Sequence, residues 1–177
     1  MILIDYNDSF LKDKISNLLL QKEIKFTLNN EEKFFTKVLI SQSKEYIKIN
    51  SEHGNMIALK IPISIHSFMA SLLDFFKDIK INLKFFCYKP ILQEVSINSH
   101  KLILGNIHNI ILSNLILNED KGIKNSILYR KIWPNDKEIS INKLDTHLTN
   151  LKNKLHQNLN LKINIITNEG QIKLIMS

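Results

Sequence analysis

Leucines 144, 148, 151 and 155 stand four, three and four residues apart in the stretch "ISINKLDTHLTNLKNKLHQ" (139–157). That spacing draws one stripe down an α-helix. At about 100° per residue, Thr146, Thr149, Asn150, Asn153 and Gln157 fall opposite the stripe. His147 and Lys154 lie on one flank of that outer face and Lys152 on the other. Ser140 is the expected N-cap, with Ile139 before it and Leu144 inside it placed as a hydrophobic staple. A merely solvated helix face usually mixes Glu with Lys, because opposite charges at i,i+4 support it. Here the only acid is Asp145. Uncharged hydrogen-bonding groups between basic rims suit base edges in a major groove, with phosphates gripped on either side.

The bland alternative is a solvated helix written in the codons of an A+T-rich genome. Composition makes that bias visible: Ile (30), Lys (23) and Asn (21) supply 74 of the 177 residues, and Arg occurs once. The distribution of charge survives the discount better than its total. Residues 1–78 hold ten Lys and ten Asp/Glu, whereas residues 79–177 hold fourteen Lys/Arg and seven Asp/Glu, so the whole +7 lies in the second half. A genome-wide bias loads both halves alike; a confined surplus points to a polyanionic partner for one of them. A solvated basic surface is the competing explanation.

The single cysteine, Cys87, leaves no internal disulfide and fits a small core residue in a reducing compartment. The start, "MILIDYND", has an acid at position 5 and no basic n-region, unlike a signal peptide. The longest uncharged run, 102–118, carries Gly105, His108 and four Asn, which are costly in hydrocarbon. The expectation is a soluble cytoplasmic protein with no membrane partner.

Hydrophobic periodicity predicts a strand at 1–4 and a helix from Ser9 to Leu20 capped by Asp8 or Ser9. Strands follow at 24–28, 37–41, 45–49 and 56–61, with a turn at 50–55, and then a helix at 64–76 whose apolar face is Ile65, Phe68, Met69, Leu72 and Leu73. This is an α/β outline, and the change in charge balance near 78–80 marks its end. Short strands come next in "NLKFFCY", "ILQEVSI" and "KLILG". A helix follows with Ile107, Ile110, Ile111, Asn114 and Leu115 on one face, ending around Lys121–Gly122, and another spans "SILYRKIW" (126–133) before Pro134. After the leucine-striped helix, "KINIITNEGQIKLIM" reads as two β segments around a tip containing Gly170.

This order of motifs resembles the OmpR/PhoB-type winged helix-turn-helix, the DNA-binding output domain of two-component response regulators. The residues that carry the resemblance are "SILYRKIWP", "KLDTHLTNLKNKL" and "ITNEGQIKL": Ile132–Trp133, Leu144–Asp145–Thr146–His147, Leu151–Lys152–Asn153–Lys154–Leu155, and Thr167 with Gly170. The resemblance implies a DNA-binding domain over 79–177, with a recognition helix at 140–157 and a wing at 163–175. It implies that Thr146, Thr149, Asn150 and Asn153 face bases. It puts His147, Lys152 and Lys154 near phosphates, joined by Lys143, Arg130 and Lys131 from the surrounding basic surface. The wing residues would be Thr167, Gly170 and Lys173. Two departures stand out: Asn150 sits where arginine is common, and Glu169 and Gln171 sit at a wing tip that is usually small or basic. Trp133 and the leucines read as core.

Residues 1–78 resemble a shortened, degenerate receiver domain. "ILIDYNDSFL" matches the receiver's first strand and following turn, and "IPISIHSFMASLL" its last strand, proline and helix. A receiver holds Mg²⁺ with an acidic pair beside a phosphoacceptor aspartate. At the place of the pair stand Tyr6 and Asn7, with Asp5 and Asp8 on either side, and no aspartate occurs between Asp13 and Asp74. The phosphoacceptor, expected at the end of a strand such as 38–41, is absent. The implied fold is therefore a truncated α/β receiver-like domain followed by an α+β winged helix-turn-helix. The implied function is a transcription regulator that works without phosphorylation and binds double-stranded DNA as a homodimer. A protein regulator could also dock on residues 1–78.

No catalytic, cofactor or metal chemistry is predicted. The six histidines (53, 66, 100, 108, 147 and 156) show no zinc-like spacing, with His100 read as a turn residue and His108 as helix surface. Four scattered glycines make no phosphate loop, and no motif sets a nucleophile beside a base. Two rival readings remain at the level of sequence. One is a protein-interaction module whose winged helix has decayed, favoured by the missing arginines and the acidic wing tip. The other is a sequence-blind DNA-associated protein.

Overall fold

The computed structural model describes residues 2–6, 9–22, 24, 26–29, 31–52 and 54–175. The expectations placed on Asn7, Asp8 and His53 lie outside the described residues. The chain divides into two compact units, Met1–Ile79 and Lys80–Ser177.

The first unit is built from β1 (Ile2–Tyr6), α1 (Ser9–Gln21), β2 (Phe26–Thr27), β3 (Lys37–Gln42), β4 (Tyr46–Ser51), β5 (Met56–Lys60) and α2 (Ile65–Lys77). Its five strands lie in the order β2-β1-β3-β4-β5. Strand β1 runs parallel to both β2 and β3, as in a doubly wound sheet. Beyond β3 the direction changes, and β3, β4 and β5 form an antiparallel meander. The reason is the length of the connections: residues 43–45 and 52–55 suffice for a tight turn and not for the crossover that a parallel neighbour needs. Ser43 closes the first turn by accepting from Tyr46 N–H at 3.1 Å.

Alternation then fixes the packed face. Val38, Ile40, Ile47 and Ile49 are buried while Tyr46 and Lys48 between them are exposed. Helix α1 contributes Ile15 and Leu19 to the core, and α2 contributes Phe68, Leu72, Phe75 and Phe76. Met69 and Leu73, also expected on the inner face of α2, are only half-buried, and Ile65 is 52% exposed. Ser64 caps α2 by accepting from Ser67 N–H at 3.1 Å.

The second unit begins with a four-stranded antiparallel sheet of β6 (Ile81–Asn82), β7 (Cys87–Lys89), β8 (Glu94–Ile97) and β9 (His100–Ile103) in sequential order. Next come α3 (Asn106–Leu117), the short β10 (Ile123–Lys124), α4 (Asn125–Ile132) and α5 (Ile141–Leu159). A hairpin of β11 (Asn164–Asn168) and β12 (Gln171–Ile175) ends the fold, with β10 pairing on the outer side of β12. Helix α3 stops at Leu117, earlier than the glycine signal predicts, and Gly122 instead turns the chain into β10 at φ +74°. A Cβ on Gly122 would stand 2.9 Å from the Ile172 carbonyl oxygen, so only glycine lets this strand lie against β12. Ile110, Ile111, Leu115, Leu128, Tyr129, Leu144, Leu151, Leu155, Ile172 and Leu174 make the core beneath α5 and the hairpin.

Candidate nucleic-acid interface

Helix α5 owes its orientation to its leucines. Leu144, Leu148, Leu151, Leu155 and Leu159 are all buried, and α5 packs on α3, α4, β9 and β11. Ser140 caps its start, accepting from Lys143 N–H at 3.3 Å. Asn160 closes its end in the left-handed conformation at φ 50°. Ile139, the expected staple residue, is 39% exposed.

With the leucine side committed inward, Thr146, Thr149, Asn150 and Asn153 are all exposed on the opposite side. Thr146 spends its hydroxyl proton on the Asn142 carbonyl at 2.8 Å, which leaves its oxygen as an acceptor. The outer face of α5 thus offers amide donors and acceptors from Asn150 and Asn153, and hydroxyls from Thr146 and Thr149, in water and on a rigid element.

The basic residues are differently placed from a row of free cations. Lys143 Nζ lies 2.9 Å from Asp136 Oδ2 and 4.1 Å above the ring of Trp133. The Arg130 guanidinium donates to the carbonyls of Asp136 and Lys137. Lys131 Nζ donates to the buried Asn114 side chain at 2.9 Å, and Lys154 Nζ to the Ile103 carbonyl at 3.2 Å. Lys152 is half-buried on the other rim. His147 is also half-buried, its ring 5.9 Å from that of His108 and 5.4 Å from that of Trp133.

These contacts correct three expectations. Trp133 is half-buried at the corner between α4 and α5, whereas its neighbour Tyr129, 4.7 Å away ring to ring, is the core residue. His108 packs into the helix junction rather than standing on the surface. His100 begins strand β9 rather than occupying a turn.

The corner is tied by Asp136, whose Oδ2 accepts from Tyr129 OH at 2.6 Å and from Lys143 Nζ at 2.9 Å. Those two donors hold its carboxyl below the usual carboxylate range, and the same hydrogen bond pushes the Tyr129 phenol up. His108 is pushed below the ordinary histidine value, first by burial and then by the nearby Lys154 and His147 charges. Asp136 lies in a loop after Pro134, with no periodicity to mark it, and its partners come from two different helices. Sequence reasoning therefore passed over it.

In the hairpin, Glu169 (φ 48°) and Gly170 (φ 75°) form a two-residue tip closed by the Asn168–Gln171 pair. Positive φ at both central residues is the geometry of a type I′ turn, in which Asn-Gly would be the relaxed sequence. The Gly170 carbonyl accepts from Asn125 N–H at 2.9 Å, which pins the tip to the start of α4. Thr167 is exposed on β11. Lys173 turns back, donating to the Asp120 carbonyl at 2.9 Å.

Among the described residues, no group of three or more His, Cys, Asp or Glu side chains is placed to hold a metal ion. No helix of the described residues is long and apolar enough to cross a membrane. No family model matches the chain, and no curated protein matches it. Among solved structures it is similar to the C-terminal domain of the nisin resistance regulator NsrR, a lantibiotic response regulator, at 23% identity and a TM-score of 0.43, over 54% of this chain and 96% of that one.

Proposed function

We propose that this protein binds double-stranded DNA through the outer face of α5 and regulates transcription without a phosphorylation step. The observation that carries the reading is the division of α5 into a buried leucine side and an exposed side of Thr146, Thr149, Asn150 and Asn153, in the half of the chain that holds the whole net charge of +7. In this reading the four exposed side chains meet base edges, and the asparagines favour adenine because their amide pairs with it in two places. His147, Lys152 and Lys154 flank that face toward phosphates. Lys143, Arg130 and Lys131 sit at the α4–α5 corner, and Thr167, Gly170 and Lys173 form the wing. Independence from phosphorylation rests on the absence of any aspartate between Asp13 and Asp74.

The test is selection and sequencing of genomic fragments retained by the purified protein at two salt concentrations. The reading expects an enriched, A+T-rich motif, and expects Asn150→Ala to relax preference at one base pair. Retention without a motif, lost at the higher salt, would instead mean sequence-blind coating. A protein partner is the second reading. It is favoured by Glu169 at the wing tip and by the intramolecular hydrogen bonds that occupy Lys131, Lys154 and Lys173; loss of all DNA retention would support it.

A further inference from the structure

Strand β5 is the outermost strand on its side of the first sheet among the described residues, and burial fails there. Ile49 is 0% exposed and Ile47 is 6% exposed on β4, yet their register partners on β5, Ile57 and Leu59, are only half-buried. On the other face Met56, Ala58 and Lys60 are exposed. The hydrogen bonds at the two ends of this pair fix which backbone groups are used. Ser51 N–H donates to the Asn55 carbonyl at 2.9 Å and Ile61 N–H to the Glu45 carbonyl at 2.7 Å. Alternation along an antiparallel ladder then turns the backbone groups of Ile57 and Leu59 toward β4, and those of Met56, Ala58 and Lys60 away from the sheet. An open row of N–H and C=O groups beside a half-covered apolar row is a template for one more strand.

We propose that β5 pairs antiparallel with β5 of a second copy of this chain, about a two-fold axis at Ala58, so that one sheet runs through both copies. Three features select a second copy. A strand docking here must set apolar residues beside Ile57 and Leu59 while leaving its alternate side chains in water, and β5 itself has that alternation. An isologous contact sets each residue on the axis against its own copy. Ala58 is the small, uncharged residue that tolerates this, and the register it defines places Lys60 opposite Met56 rather than opposite another lysine. Residues 1–78 also carry no net charge, with ten Lys and ten Asp/Glu, so two copies of this unit meet without the repulsion that the basic second unit would generate. The inference is independent of DNA binding.

The test is sedimentation of the full chain over a concentration series. Wild type is expected to form a dimer. Ala58→Pro removes a donor that points away from β4, a change an edge strand tolerates, and is expected to shift the folded protein to monomer. Met56→Glu faces Lys60 of the second copy twice per dimer and should tighten association about fivefold, while Met56→Lys should weaken it by about the same factor. A chain that stays monomeric throughout would overturn the proposal. So would a dimer that folded Ala58→Pro leaves intact, or Met56→Glu and Met56→Lys variants that shift association in the same direction.

Discussion

Asp136 and His108 place two separate pH dependences in the second unit. The Asp136 carboxyl is depressed by its bonds from Tyr129 and Lys143. The unfolded chain therefore binds the proton more readily, and this contribution to stability is present above the ordinary value of 3.8 and lost as pH falls through the folded one. His108 is depressed first by burial and then by coulombic repulsion from Lys154 and from the His147 side chain. The unfolded state again binds more protons, so stability is lost as pH falls below the ordinary 6.5 toward the lower folded value. Thermal unfolding followed from pH 8 downward should show both losses. His108→Gln should flatten the upper window and leave the lower one, and Asp136→Asn should do the reverse. Neither residue carries a sequence signal of its own: Asp136 meets Tyr129 and Lys143, seven residues to either side, only through the turn between α4 and α5, and His108 meets Lys154 and His147 of a helix distant in the chain.

At the scale of elements, burial patterns and backbone conformation set the expected losses. Leu151 is wholly buried under α5, and Leu151→Ala should cost about 3 kcal/mol in chemical unfolding. Gly122→Ala combines a positive φ with a Cβ 2.9 Å from Ile172 O, and should cost about 2 kcal/mol. Glu169 holds φ 48° in the two-residue tip, so Glu169→Gly should stabilise by roughly 0.5–1 kcal/mol in chemical unfolding. Helix α5 was legible because Leu144, Leu148, Leu151 and Leu155 mark one side at helical spacing and Ser140 caps it; Leu159 extends that buried side by a turn. The end of α3 was not: a glycine reads as a helix stop, but Gly122 serves the strand pairing after it, a contact made across the fold. The strands expected at 37–41, 45–49 and 56–61 appear at Lys37–Gln42, Tyr46–Ser51 and Met56–Lys60, and their antiparallel run follows from connections too short for a crossover.

For the whole molecule, the uneven charge makes a quantitative prediction. On the proposed DNA-binding reading, affinity should fall steeply with salt, with a log–log slope of about −0.9 for each phosphate neutralised. Lys152→Ala should reduce the slope by about one and weaken all sequences alike, whereas Asn150→Ala should change selectivity at near-constant slope. The first change tests a rim and the second a base contact, both by titration at several salt concentrations. By itself the sequence determined the amphipathic helices, the cap at Ser140, the confinement of the net positive charge to residues 79–177 and the absence of aspartate between 13 and 74, because periodicity, local hydrogen bonding and charge are properties of neighbours along the chain. Only the tertiary structure decided that Tyr129 rather than Trp133 enters the core, and that Lys131 and Lys154 are held by Asn114 and Ile103. Those outcomes depend on which distant groups packing brings within hydrogen-bonding reach, and spacing along a chain does not encode that distance.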